Sequence, residues 1–213
     1  MIPGDGSAYF DALGGEWDRL RENFYPDEVR DRAIEVAGVG PDRVAVDLGA
    51  GTGFLTRGLV ERGLRVIAVD SSQVMLDALR ERFPDRGLVD CRVGDANRIP
   101  VTDGAVDASL ANMVLHHVEV PARMIREMAR IIRPGGRVVV TDLDTHEHEF
   151  LRTEQHDRWM GFERDDVRRW FREAGLTDVT VEDLGPQCLA TSCDDHAAVV
   201  GIFVASGTTP LSI

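Results

Sequence analysis

Six histidines are present, and five of them fall into two clusters. His146, His148 and His156 lie in DLDTHEHEFLRTEQHDRW (142–159), among acidic residues. His116 and His117 are adjacent in LHHVEVP (115–121). Imidazole titrates near neutral pH, so each is a candidate general base. A metal site would need three or four converging ligands. His146, His148, His156 and one aspartate could supply them, but their spacing matches no standard metal motif. If 142–148 is extended, Asp142, Asp144, His146 and His148 share one side. If 148–159 is helical, His148, Arg152 and His156 share one face at spacings of four. Such a helix is expected to carry its histidines in solvent or in hydrogen bonds, or to line the pocket of a bound acceptor with His156, Asp157 and Trp159. His117 reads either as a base facing a bound acceptor or as a ring packed inward; His116 reads as exposed.

A second constellation consists of glycines and aspartates. VDLGAGTGF (46–54) places Gly49, Gly51 and Gly53 behind Asp47. Glycine permits a tight turn and lets a ligand approach the backbone. The dinucleotide fingerprint would require glycine at position 54, which is Phe54. Asp70 closes RVIAVD, and Gly94, Asp95 and Ala96 open GDANRIPVTDGAVD. A carboxylate can accept from two hydroxyls at once.

These residues need a scaffold. Apolar runs suited to buried strands occur at 43–48, 65–70, 89–93, 105–113 and 137–143. Helical patterns lie between them, at 27–38, 54–63, 72–83 and 121–132. A further helix is expected at 165–175, then strands at 178–184 and 198–206. Strand and helix alternation predicts a mainly parallel sheet with helices on both faces. The last two strands lack a helix between them and are expected as an antiparallel pair at one edge. Residues 1–26, with Tyr9, Phe10, Trp17, Phe24 and Tyr25, read as a helical lid on a main domain of 27–213.

Composition narrows the partners. The net charge is -13, and all 24 Lys+Arg residues are arginine. Such a surface repels a phosphate backbone, so nucleic acid is not expected as substrate. No apolar run is long enough for a membrane span. The stretch MIPGDGSAYF lacks a secretory pattern, and Cys91, Cys188 and Cys193 form no disulfide framework. A cytoplasmic protein is the expectation. No motif sets an oligomeric state.

The order Asp47-glycine loop, Asp70, GDANRIP and IIRPGGRVVV resembles class I S-adenosylmethionine-dependent methyltransferases. LHHVEVP is similar to the small-molecule branch typified by ubiquinone and menaquinone methyltransferases. The resemblance implies an α/β, Rossmann-like, seven-stranded sheet and S-adenosyl-L-methionine as cofactor. It implies cofactor-binding roles for Asp47, Gly49, Ala50, Gly51, Gly53, Asp70, Ser71, Met75, Gly94, Asp95, Ala96 and Asn112. In that family the first acidic residue orients the amino group, the second takes the ribose hydroxyls, and the third meets the adenine amine. The acceptor side is expected at His117, with His146 or His148, and with no metal. Alternatives are a metal-assisted enzyme, a thiol- or metalloid-directed one using Cys188 and Cys193, and a non-catalytic cofactor sensor.

Overall fold

The computed structural model describes residues 17–211. The expected lid lies partly outside the described residues, including Tyr9 and Phe10. Its remainder contains a short helix α1 (Trp17–Arg21) and the loop to α2 (Glu28–Ala37). The main unit then alternates β1 (Val44–Leu48), α3 (Phe54–Glu61), β2 (Arg65–Asp70), α4 (Gln73–Arg82), β3 (Val89–Val93) and β4 (Val106–Asn112). A 3-10 turn (Leu115–His117) and α5 (Pro121–Ile131) lead into β5 (Ile132–Leu143). The chain continues through α6 (Glu149–Glu154), α7 (Arg164–Glu173), β6 (Thr177–Thr191) and β7 (Ala197–Thr208).

The seven strands form one sheet in the order β3-β2-β1-β4-β5-β7-β6. β1 to β5 run parallel, and β7 is antiparallel to both β5 and β6. The antiparallel pair lies at one edge as expected, with the last strand as its inner member. Alternation along the strands builds a core on each face. Ala45, Ala108, Leu110 and Val139 pack toward Val29, Ile34, Leu55 and Leu59 of α2 and α3. Val46, Leu48, Val138 and Val140 pack toward Met124, Ile125, Met128, Val167 and Phe171 of α5 and α7. Asp47 therefore points into the α2–α3 layer, where it is 1% exposed.

The helix expected over 148–159 is only Glu149–Glu154. His156 adopts φ 61°, in the left-handed region, which ends the helical path. Tertiary bonds outweigh local propensity here. Leu151 O accepts from both Gln155 and Asp157, while the amides of Arg158 and Trp159 donate to His116 O. The Trp159 indole donates to Val118 O at 2.9 Å. His148, Arg152 and His156 therefore do not share a helical face.

The segment returns to the sheet through a tight join. Phe162 N donates to Leu143 O at 3.0 Å, and Asp144 takes a two-pronged bond from Arg164 at 2.7 and 2.6 Å. Gly161, at φ 67°, fits here because a Cβ would overlap the Asp144 carbonyl. Gly161→Ala is expected to cost about 3 kcal/mol through strain and backbone displacement. At this chain length that lowers the thermal midpoint by about 6–12 °C, read by calorimetry. An unchanged midpoint would show that the join is looser than described.

Candidate active site

A cavity of about 370 Å³ opens at the carboxyl ends of β1, β2 and β4. The strand order reverses between β1 and β4, which is where open α/β sheets bind ligands. Its floor is the turn after β1. Gly49 N and Ala50 N both donate to Val69 O, at 2.8 and 3.1 Å, tying the turn to β2. Gly49 has φ 70°, and a Cβ there would overlap the Val114 side chain. Gly51 N donates to Asp70 Oδ2 at 2.8 Å, and Ser72 N to Asp70 Oδ1 at 2.9 Å. The Asp70 carboxylate thus braces the glycine turn and the start of α4. The same carboxylate lines the cavity.

The structure brings Asp47, Gly49, Ala50, Gly51, Asp70, Ser71, Met75, Gly94, Asp95, Ala96 and Asn112 into this one wall. Gly53 is not part of the lining. It caps α3 at φ 98°, and a Cβ there would meet Leu79 and Phe83. Asp95 Oδ1 accepts from Asn97 N at 2.6 Å, which fixes the turn after β3. Both ends of the Asn112 amide meet protein groups: Nδ2 donates to the Tyr25 hydroxyl at 3.3 Å, and Oδ1 accepts from Thr141 at 2.8 Å.

Asp47 is electrostatically unusual. Burial pushes its carboxyl up to about 7; hydrogen bonds from Thr56, one at 2.6 Å, oppose this, and the nearby Asp70 charge adds to it. A cation placed in the cavity would favour its ionised form.

Arg21, which the sequence reading did not single out, also lines the cavity. Its guanidinium lies 3.8 Å from the Phe54 ring centre, and Tyr25 meets Phe54 edge-on at 5.8 Å. The one sequence trace of this rim is the i, i+4 spacing of Arg21 and Tyr25.

A smaller, mainly apolar cavity adjoins the first and shares Tyr25, Met113 and His117 with it. Leu143, Leu151 and Cys188 supply apolar surface, and His116 and Asp157 supply polar groups. Burial pushes the Cys188 thiol up to about 12, so it is not a thiolate at neutral pH. Cys193 is exposed in the turn before β7 and bonds to Glu154, so the two cysteines do not share a site.

His116 is not exposed, as the sequence suggested, but only 6% accessible. Asp142 at the end of β5 accepts from Leu115 N at 2.8 Å and pairs with His116 Nδ1 at 2.8 Å, drawing the ring inward. That partner is 26 positions away, beyond the reach of local pattern. His117 is half-buried and borders both cavities. Burial first, then the charge of His116, holds His117 well below the usual histidine range, while a hydrogen bond to the His156 backbone acts the other way.

His146 and His148 line neither cavity. His146 Nδ1 accepts from His148 N at 3.2 Å, and their rings sit 5.6 Å apart. Among the described residues, the group with metal-ligand spacing is instead His116, His117 and Asp157, whose ligand atoms lie within 4.8 Å.

An open α/β sheet with a glycine turn, successive strand-end carboxylates and a cavity at its reversal defines a nucleoside-cofactor domain of the Rossmann-like class. Residues 46–140 match the family described as Methyltransferase domain. An uncharacterized methyltransferase of Mycobacterium tuberculosis is 45% identical over 134 residues, covering 63% of this chain and 51% of that protein. A demethylmenaquinone methyltransferase of Beutenbergia cavernae is 33% identical over 146 residues, 67% of this chain and 60% of that protein. The chain spans about half the length of the mycobacterial relative. A Haloferax volcanii methyltransferase solved with the Trm112 methyltransferase activator superposes with TM-score 0.77 at 22% identity, covering 94% of this chain and 97% of that one. Haemonchus contortus phosphoethanolamine N-methyltransferase 2, solved with S-adenosyl-L-methionine, gives 0.70 at 17% identity, covering 85% and 52%. These two likenesses speak for the fold alone. The chain carries the methyltransferase domain of the class I S-adenosylmethionine-dependent methyltransferases.

The wall fits that class's cofactor. Gly49, Gly51 and Gly94 line it without side chains, and the carboxylates of Asp47, Asp70 and Asp95 suit an ammonium group, hydroxyls and an amine.

Proposed function

We propose that the chain transfers a methyl group from S-adenosylmethionine to a small-molecule acceptor seated in the second cavity, with His117 as its base. The observation that carries this reading is the position of His117, which borders the cofactor cavity and the apolar cavity together. The cofactor supplies an activated methyl group on a sulfonium. The chain supplies alignment, dryness and a proton acceptor. Asp47 would hold the ammonium end, Asp70 the ribose and Asp95 with Ala96 the adenine. Leu143, Leu151 and Met113 would exclude water from the acceptor, and the His117 ring would take its proton. Segment 1–26 would act as a lid, as the packing of Arg21 and Tyr25 on Phe54 supports.

The net charge of -13 favours a small acceptor over nucleic acid. Among the described residues no helix is long and apolar enough to cross a membrane. Unpaired cysteines agree with a reducing compartment such as the cytoplasm. The test is formation of S-adenosylhomocysteine across a panel of hydroquinones, phenols and amines. Product with at least one acceptor, lost in His117→Gln, is the expected result. Cofactor binding without product across the panel would favour a sensor.

Asp47 gives the site a pH signature. Its carboxyl titrates at about 7 when buried without a cation, above its ordinary value. The protonated form therefore stabilises the fold at low pH, and that contribution is lost as pH rises through about 7. A cationic ligand reverses the preference. S-adenosylmethionine is expected to bind more tightly from about pH 6 to about pH 8, then level off, in calorimetric titration. Affinity that falls over that range would place the ammonium group elsewhere.

A further inference from the structure

We infer that His116, His117 and Asp157 form a site for one divalent transition-metal ion, zinc by the donor set, and that the ion competes with the use of His117 as a base. The ligand set stands independently of the base reading of His117; the competition rests on it.

The three residues come from two segments. His116 and His117 stand in the 3-10 turn after β4, and Asp157 follows α6. One ligand atom of each lies within 4.8 Å of the other two. His116 Nε2 is 3.6 Å from Asp157 Oδ1, and His117 Nδ1 is 3.9 Å from it. Both separations are too long for a hydrogen bond. Ligands bonded to a tetrahedral zinc stand roughly 3.3–3.4 Å from one another, so each pair need close by only about half an ångström at most.

The Asp157 side chain is 4% exposed. Among the described residues no hydrogen bond ends on its carboxylate. A buried carboxylate without a donor is costly, and a bound cation offsets that cost. The rings are held as metal-bound imidazoles are held. His116 Nδ1 pairs with Asp142 Oδ1 at 2.8 Å, and Asp142 is fixed in turn by Leu115 N and Leu143 N, each at 2.8 Å. A proton on Nδ1, given to Asp142, leaves the Nε2 lone pair facing Asp157. A lone pair and a carboxylate then face one another across a gap that a cation fills. Carboxylate, imidazole and metal in line is the common outer-shell support of a metal-bound histidine. The His117 ring bonds to the backbone of His156, a second fixed support.

Two imidazoles and one carboxylate suit zinc, and three protein ligands leave a fourth position open. All three residues line the second cavity, so that position opens where the acceptor is proposed to sit. A metal on His117 Nδ1 leaves the ring's one proton on Nε2 and no lone pair for the acceptor's proton. The loaded chain is therefore expected to bind cofactor without turning over.

The test is equilibrium dialysis of the untagged, metal-free full chain against zinc chloride, with cobalt chloride as the spectroscopic probe. One zinc per chain and the visible bands of four-coordinate cobalt are expected. His116→Gln and Asp157→Asn should each weaken zinc at least as much as the roughly 10–100-fold that loss of outer-shell support costs. His148→Ala changes a histidine that lines neither cavity and should bind zinc like the native chain. X-ray absorption of the zinc-loaded native chain, which needs no variant, should show two imidazoles on the metal. The site is overturned by no stoichiometric binding to the native chain, by native affinity in folded Asp157→Asn, or by fewer than two imidazoles on the zinc. With an acceptor found in the panel, zinc saturation should abolish transfer and a chelator restore it. Undiminished transfer with zinc bound removes the competition and the base reading of His117 while the site stands. Loss of transfer in His117→Gln with no zinc binding to the native chain removes the site while the base reading stands.

Discussion

Asp70→Ala is expected to weaken S-adenosylmethionine and S-adenosylhomocysteine binding by about 10²–10³-fold. The effect has two sources. Asp70 accepts from Gly51 N and Ser72 N, so its loss leaves one amide of the glycine turn and one at the start of α4 without their acceptor. It also removes the carboxylate proposed to take the ribose hydroxyls. Hydrogen bonds to a charged group are worth about 1.5–3 kcal/mol each, which gives this range even if part of the turn relaxes. Asp70→Asn should fall between, because an amide still has one acceptor oxygen but no charge. Competitive binding of a fluorescent cofactor analogue would read both. Native affinity in Asp70→Ala would move the ribose to another wall of the cavity.

His117→Gln is expected to slow methyl transfer by about 10²–10⁴-fold, the range for removal of a general base. Cofactor affinity should stay close to native, since the ring borders the cofactor cavity without anchoring the glycine turn. The split between turnover and binding separates a base from a structural ring. A rate loss matched by an equal loss of cofactor affinity would make His117 part of the cofactor wall.

The wall of the first cavity was legible because its groups are local in sequence. Asp47, Gly49 and Gly51 fall within five residues, and Asp70 ends a recognisable strand; their joint wall follows from parallel strands ending at one level. Gly53 belongs to the same glycine run, yet it lies outside that wall and faces Leu79 and Phe83, a matter of tertiary packing. The second cavity was less legible because its pairs are distant. Asp142 on β5 meets His116 in the 3-10 turn 26 positions earlier, and Asp157 comes near them because the chain leaves its helix at Glu154 and turns back. The histidine-rich stretch from His146 to His156 attracted notice by composition. Its neighbour Asp157, which the sequence set beside His156 and Trp159 as a pocket group, is the buried residue that lines the second cavity. Arg21 escaped notice because a single arginine in a polar segment carries no periodic signal.

The most direct measurement is calorimetric titration of the full chain with S-adenosylmethionine, followed by S-adenosylhomocysteine. One saturable site per chain for each, competing with one another and lost in Asp70→Ala, is the predicted result. No binding of either compound to the folded native chain would contradict the account at its base.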